Sequence, residues 1–118
     1  MAGRPIFAIG YSFGAAVAAR AIGKDPGGVL GLVCIALPVG FSSPDDFADL
    51  RERRLPKLFL AGSGDDICPV PALREFVGTL PEPNALVVLD ATDHFFRSRE
   101  PELASHILRF LDTPRPAP

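Results

Sequence analysis

Four short, continuous runs of apolar residues recur along the 118-residue chain, each with glycine or proline within two residues of one end. They cover Ile6–Ile9, Leu30–Ala36, Leu58–Ala61 and Ala85–Leu89. Apolar and polar residues do not alternate within these runs, and such continuity is typical of strands buried on both faces of a parallel sheet. The pattern therefore predicts four parallel β-strands.

The segments between and after these runs have helical character. Gly14–Ile22 is rich in alanine, and Ser43 with Pro44 supplies an N-cap and a first-turn proline for the segment that follows. The other helical segments are Asp45–Arg54, Ala72–Leu80 and Glu102–Leu111. Strands and helices thus alternate, which predicts an α/β fold in which a parallel sheet of about four strands is flanked by helices.

Length and composition indicate one globular domain, predicted over residues 1–112, followed by a proline-rich tail over residues 113–118. The net charge of -2 provides no basic stripe, so nucleic acid is not expected as a partner. No apolar run approaches the roughly 18 residues of a membrane span, and no signal peptide is recognised. Cys34 and Cys68 are too few for a disulfide framework and are expected to be buried structural residues, so a cytoplasmic location is predicted.

Polar side chains follow three of the four predicted strands. Ligands bind beyond the carboxyl ends of the strands in open parallel sheets, so these residues are the candidates for chemistry. The first strand is followed by Gly10–Gly14 (GYSFG), the third by Asp65 and Asp66, and the fourth by Asp93 and His94. A hydroxyl, a carboxylate and an imidazole in this order match the components of a serine triad.

The G-x-S-x-G pattern predicts that Ser12 lies on a sharp, strained turn between a strand and a helix. Tyr11 completes this turn, and glycine is expected at Gly10 and Gly14 because side chains there would crowd the bend. The backbone N–H of Phe13, at the start of the helix, is the expected donor to an oxyanion. The alternative for Ser12 is a flexible glycine turn without chemistry.

Several carboxylates compete for the place of the acid. Asp65 and Asp66 are adjacent, and either could be a simple turn residue after the strand. Asp90 and Asp93 are further candidates, although Asp93 adjoins His94, where backbone geometry makes an orienting contact difficult. Asp93 is therefore predicted to be a turn or surface residue.

His94 is one of two histidines and is predicted to lie on a loop, where its alternative role is to cap a helix. His106 falls near the apolar face of the last predicted helix, so helix packing or its surface accounts for it. Phe95 and Phe96 are predicted to belong to the core, with Phe95 also a candidate to line a substrate pocket.

Three segments, IFAIGYSFGAAVA, KLFLAGSGDDICPV and ATDHFFRSREPEL, resemble the strand–serine–helix, acid-loop and histidine-loop motifs of the α/β-hydrolase superfamily. The resemblance runs from Pro5 to Leu111 and corresponds to the carboxyl-terminal half of that fold. The spacing of the family's acid loop, Gly62 to Pro69, favours Asp65 over Asp66. The Asp-His-Phe-Phe form is similar to small bacterial hydrolases related to dienelactone hydrolases.

The resemblance implies that Ser12 is a nucleophile, that His94 is a general base and then acid, and that Asp65 orients His94. The substrate would be a small molecule with an ester, thioester or related acyl bond. No metal is expected, because the histidines and cysteines are too far apart in sequence to form a ligand cluster. Neither a dinucleotide nor a P-loop glycine pattern is present, so no cofactor is expected.

In the complete fold of this superfamily the serine turn follows the fifth of about eight strands. Earlier strands and a second oxyanion donor would then be missing, and the chain alone is expected to be a poor enzyme. Ile6–Ile9 would become an apolar edge that invites self-association. A non-catalytic module that binds a partner through this edge is the main alternative, and a flavodoxin-like phosphate binder is a second.

Overall fold

The computed structural model describes residues 6–90 and 92–113. Four strands form within these ranges: β1 (Ile6–Tyr11), β2 (Val29–Ile35), β3 (Lys57–Gly62) and β4 (Asn84–Leu89). All neighbouring pairs are parallel, in the order β1-β2-β3-β4. The predicted α/β class, with a parallel sheet of about four strands and flanking helices, is therefore confirmed.

In the described residues three α-helices flank the sheet: α1 (Phe13–Lys24), α2 (Val70–Val77) and α3 (Glu100–Asp112). The alanine-rich face of α1 is buried, with Ala15 and Ala19 fully excluded from solvent. Small side chains on this face let the helix lie close to the sheet. The predicted proline-rich tail falls mostly on residues 114–118, which lie outside the described residues, so the domain boundary stays a prediction.

The segment predicted as a helix over Asp45–Arg54 is a 3₁₀ helix, Pro44–Glu52, rather than an α-helix. It begins with a capping box, in which the Ser43 hydroxyl accepts from the Asp45 N–H and the Asp46 carboxylate accepts from the Ser43 N–H. The regular geometry is interrupted at Phe47 (φ −118°, ψ 17°), whose side chain is buried against Phe76. Tertiary packing of one aromatic side chain thus accompanies the departure from helical geometry.

The core is concentrated on β2 and β3, the two central strands. All six residues of β3 are buried, as expected for a strand covered on both faces. Cys34 on β2 and Cys68 beyond β3 are both free and buried, and burial raises the pKa of each thiol to about 12. Both thiols are therefore protonated near neutral pH, in keeping with structural roles. No helix in the described ranges is long and apolar enough to cross a membrane.

Strand β1 is an edge of the described sheet, and it carries exposed apolar side chains. Ile6 and Ile9 are 46% and 49% exposed. Because an unpaired apolar edge is a template for association, we propose that the chain self-associates through β1. We expect Ile9→Lys to weaken this association about ten-fold, measured by size-exclusion chromatography over a concentration series. Val17→Lys on α1, at 48% exposure, is the matched control. Equal effects of the two variants would contradict association through β1.

Candidate active site

Ser12 is the single residue between the end of β1 and the start of α1. Its backbone has φ 54° and ψ −117°, a left-handed conformation that costs on the order of 1–3 kcal/mol for a residue other than glycine. The surrounding structure holds it there, because the Ser12 N–H donates to the Ile35 carbonyl at 2.8 Å and the Ser12 carbonyl accepts from Ala15 and Ala16. The sharp bend that the sequence predicts at Ser12 is present.

The two glycines of the turn differ in their roles. A Cβ added at Gly10 would lie 2.4 Å from the Gly14 carbonyl oxygen, so the close approach of β1 to α1 requires glycine at this position. A Cβ at Gly14 would meet nothing within 4 Å in the described part of the chain. The prediction that crowding demands glycine therefore holds for Gly10 and is wrong for Gly14, because Gly14 contributes its carbonyl rather than its Cα to the crowded contact.

Three polar side chains from different strand ends are connected by short hydrogen bonds. Ser12 Oγ lies 2.7 Å from His94 Nε2, and His94 Nδ1 lies 2.7 Å from Asp65 Oδ2. An ionised carboxylate can only accept, so Nδ1 donates to Asp65 and Nε2 is left to accept from the Ser12 hydroxyl. His94 and Asp65 are 7% and 4% exposed, so the hydrogen bond between them is shielded from water, whereas Ser12 is half-buried.

Asp65 is fixed on both of its carboxylate oxygens. Oδ2 faces His94, while Oδ1 accepts from the backbone N–H groups of Ile67 at 2.7 Å and Cys68 at 2.9 Å. The adjacent Asp66 is exposed and makes no such contact. The local sequence leaves both Asp65 and Asp66 as candidates for the acid, and in the structure Asp65 is the one that contacts the His94 imidazole.

The remaining candidates for the acid and the base lie elsewhere. Asp90 is exposed, and exposed Asp93 accepts from the Phe95 N–H at 3.0 Å and lies 3.7 Å from Arg97, as a turn or surface residue should. His106 is half-buried on α3 and takes no part in the hydrogen-bonded group. His94 is therefore the histidine that reaches Ser12.

The loops that carry Asp65 and His94 pack directly on one another. The N–H of Gly64 donates to the Thr92 carbonyl at 2.9 Å, and a Cβ added at Gly62 would lie 2.3 Å from the same oxygen. The Arg99 guanidinium donates to Thr92 Oγ1 at 2.8 Å and to the Asp90 carbonyl at 2.7 Å. These contacts set the spacing between the carboxylate and the imidazole.

Gly62→Ala is therefore expected to destabilise the fold by roughly 1–3 kcal/mol or more, because backbone atoms must move to admit the methyl group. The measurement is the free energy of unfolding in urea. Gly64→Ala is the matched control, since its Cβ would lie 3.4 Å from Thr92 oxygen, an ordinary contact. An equal loss of stability in both variants would contradict the proposed steric role of Gly62.

Sequence reasoning missed the part that Tyr11 plays beyond completing the turn. The Tyr11 hydroxyl donates to the His94 backbone carbonyl at 2.8 Å, and the two rings are 5.7 Å apart. Burial, with the charges of Asp65 and Asp93, raises the pKa of Tyr11, so the phenol remains a donor. Its partner is 83 residues away, so no local pattern could have revealed this contact.

The two adjacent phenylalanines of the histidine loop, Phe95 and Phe96, differ in burial. Phe96 is 2% exposed, as predicted for the core, whereas Phe95 is 59% exposed, so its predicted place in the core is wrong. The chain turns at Phe96 with φ 53°, and only one of the two neighbouring side chains enters the core. Phe95 instead lies edge-to-face with the His94 ring at 5.5 Å.

Phe13 is the first residue of α1, where no preceding turn of helix offers a carbonyl to its N–H. The first turn of α1 contains no acidic residue, so the positive end of the helix dipole is not offset there. This end can stabilise a negative charge that develops beside Ser12. Within the described residues no group of three or more histidine, cysteine or acidic side chains could hold a metal ion.

Comparison with solved structures shows the same fold in bacterial hydrolases. An α/β serine hydrolase homologue from Coxiella burnetii is 31% identical, with a TM-score of 0.72 over 87% of this chain and 47% of its own. An α/β serine hydrolase without a lid from Xanthomonas campestris is 28% identical, with a TM-score of 0.74 over 93% and 48%. A dienelactone hydrolase from Anabaena variabilis is 20% identical, with a TM-score of 0.68 over 87% and 45%.

This chain is an α/β-hydrolase-fold protein. The α/β-hydrolase chain spans about half the length of the solved structures that it matches. No family model matches the sequence, and comparison with curated proteins finds no relative. The fold is thus recognised through its structure, and Ser12, Asp65 and His94 lie at the carboxyl ends of its strands.

Proposed function

We propose that this chain carries the reacting groups of a serine hydrolase that acts on an ester, thioester or related acyl bond of a small molecule. The observation that carries the proposal is the continuous hydrogen-bonded series from Ser12 through His94 to Asp65, with 2.7 Å at each link. Such a series supplies a nucleophile, its base and a group that orients the base.

In the proposed reaction the Ser12 oxygen attacks the acyl carbon while its proton passes to His94 Nε2. Asp65 stabilises the imidazolium that forms and keeps the proton on Nδ1. The Phe13 N–H donates to the oxygen that becomes negative. The leaving group then takes the proton from Nε2, which completes an acyl-enzyme, and a water molecule activated by His94 releases the acid and restores Ser12.

The alternative is a non-catalytic module that uses the fold to bind a partner, and the exposed Ile6 and Ile9 on β1 favour it. The two functions differ in what they require of Ser12. A hydrolase needs a reactive hydroxyl at this position, whereas a binding module does not.

Labelling with a fluorophosphonate probe separates the two functions. We expect the probe to attach to Ser12, as located by peptide mass spectrometry, and Ser12→Ala to abolish attachment. Ser105→Ala, which changes a serine of α3, is expected to label like the unaltered chain. A folded chain that the probe does not modify at Ser12 would refute the hydrolase proposal.

Labelling is a more direct readout than turnover. A single phosphonylation marks Ser12 permanently and can be followed over hours, whereas turnover must be fast enough to exceed the background hydrolysis of the ester; removing one oxyanion donor typically costs roughly 10²–10³ in rate. The sequence predicts slow turnover of p-nitrophenyl acetate by the chain alone, and this stays a prediction.

A further inference from the structure

The exposed aromatic side chains of the described residues are concentrated at one end of the sheet. Each lies at or beyond the carboxyl end of a strand, and their exposures are 42% for Tyr11, 74% for Phe13, 78% for Phe41 and 59% for Phe95. The other described phenylalanines are buried or half-buried. Exposed apolar side chains that lie together at one place on a protein are typical of a binding surface, whereas single scattered ones are not.

Two of these rings contact the imidazole that faces Ser12. Phe95 meets the His94 ring edge-to-face, at a centroid distance of 5.5 Å and an angle of 83°. Tyr11 lies 5.7 Å from the same ring, and its hydroxyl is already used by the His94 carbonyl. Phe95 is the more exposed of the two rings, so it is better placed to meet a substrate.

Phe95 is held in place although it is exposed. The Arg97 guanidinium lies over its ring at 5.3 Å, and Arg97 in turn lies 3.7 Å from the Asp93 carboxylate. The Phe95 N–H also donates to Asp93. An aromatic side chain has few rotatable bonds, so an exposed ring that neighbouring contacts orient loses little conformational freedom when a ligand binds.

The chemistry of acyl transfer determines which part of a substrate Phe95 would meet. His94 Nε2 must give its proton to the departing oxygen, so the leaving alcohol lies against the imidazole. We propose, resting on the hydrolase function above, that the site takes esters whose alcohol part carries an aromatic ring and that Phe95 binds this ring. An aromatic pair contributes about 0.5–1.5 kcal/mol beyond area burial, which corresponds to roughly a two- to twelve-fold change in affinity.

The test compares two isomeric esters, benzyl acetate and methyl phenylacetate, which carry the ring on the alcohol and on the acid. Binding is measured by NMR titration of the Ser12→Ala chain, in which acyl transfer is removed. Adding Phe95→Ala is expected to weaken the binding of benzyl acetate about five-fold and to leave that of methyl phenylacetate unchanged. Phe95→Tyr should retain the affinity, and Leu108→Ala, which shortens an exposed apolar side chain on α3, should alter the binding of neither ester.

Unchanged binding of benzyl acetate after Phe95→Ala would overturn the proposal, and an equal loss for both isomers would overturn its assignment to the alcohol. Fluorophosphonate labelling of the chain with Ser12 intact is measured in parallel. If Ser12 is labelled but Phe95→Ala does not change the binding of benzyl acetate, only the proposed substrate class is refuted. Unlabelled Ser12 removes the hydrolase function, and with it the assignment of an alcohol to the Phe95 side.

Discussion

Replacing His94 by alanine is expected to slow the labelling of Ser12 by a fluorophosphonate roughly 10⁶-fold, the scale of loss when a triad histidine is removed. The physical reason is that Nε2, 2.7 Å from the Ser12 oxygen, is the group that receives its proton. The backbone carbonyl that accepts from Tyr11 remains in the alanine variant. The rate constant of labelling is measured by intact-protein mass spectrometry over time.

His106→Ala is the matched control, since His94 and His106 are the chain's two histidines and His106, on α3, is not part of the hydrogen-bonded group of Ser12, His94 and Asp65. It should label at the rate of the unaltered chain. Added imidazole should restore part of the reactivity of His94→Ala by occupying the space that the side chain leaves. Equal rates for the two variants would show that His94 is not the base.

Asp65→Asn is expected to slow the same labelling by about 10⁴-fold, through a change of tautomer rather than of shape. Oδ1 of Asp65 is fixed by the N–H groups of Ile67 and Cys68. The oxygen of an asparagine would keep these bonds and turn its NH₂ group towards His94 Nδ1. Nδ1 must then accept, so the proton moves to Nε2, which can no longer take the proton of Ser12. The measurement is again the labelling rate constant.

Asp66→Asn makes the same chemical change at the neighbouring, exposed residue and should leave the rate within about two-fold, as expected for a surface substitution. Far-UV circular dichroism and urea unfolding of both variants check that the fold is kept. If Asp66→Asn proves the slower variant, or the two are alike, then the carboxylate behind His94 has no part in the reactivity of Ser12.

The packing of the Asp65 loop on the His94 loop explains how side chains from distant parts of the sequence come within hydrogen-bond distance of one another. Gly62 admits the Thr92 carbonyl at a distance that any Cβ would block, and Arg99 binds both ends of the segment that precedes His94. The strained backbone conformation of Ser12 lies between β1 and α1, and both of these elements are regular. The contacts that hold the two loops together are thus the contacts that keep Asp65 and His94 within hydrogen-bond distance.

Local pattern determined the strands of this protein, because buried parallel strands need continuous apolar runs and the sequence contains four of them. It also indicated which loops carry the serine, the acid and the histidine, since those residues follow strand ends. It could not separate Asp65 from Asp66 without a resemblance to a known family, because both occupy one turn and only the folded chain shows which carboxylate is buried against His94.

Other features depended on contacts between segments far apart in the chain. The partner of Tyr11, the exposure of Phe95 beside buried Phe96 and the 3₁₀ geometry around Phe47 arise only when the sheet is assembled. Side-chain periodicity records which face of an element is apolar, and this is a local property. Contacts between atoms of different loops depend on the backbone turns and on the packing of the whole fold. Only the tertiary structure decided these contacts.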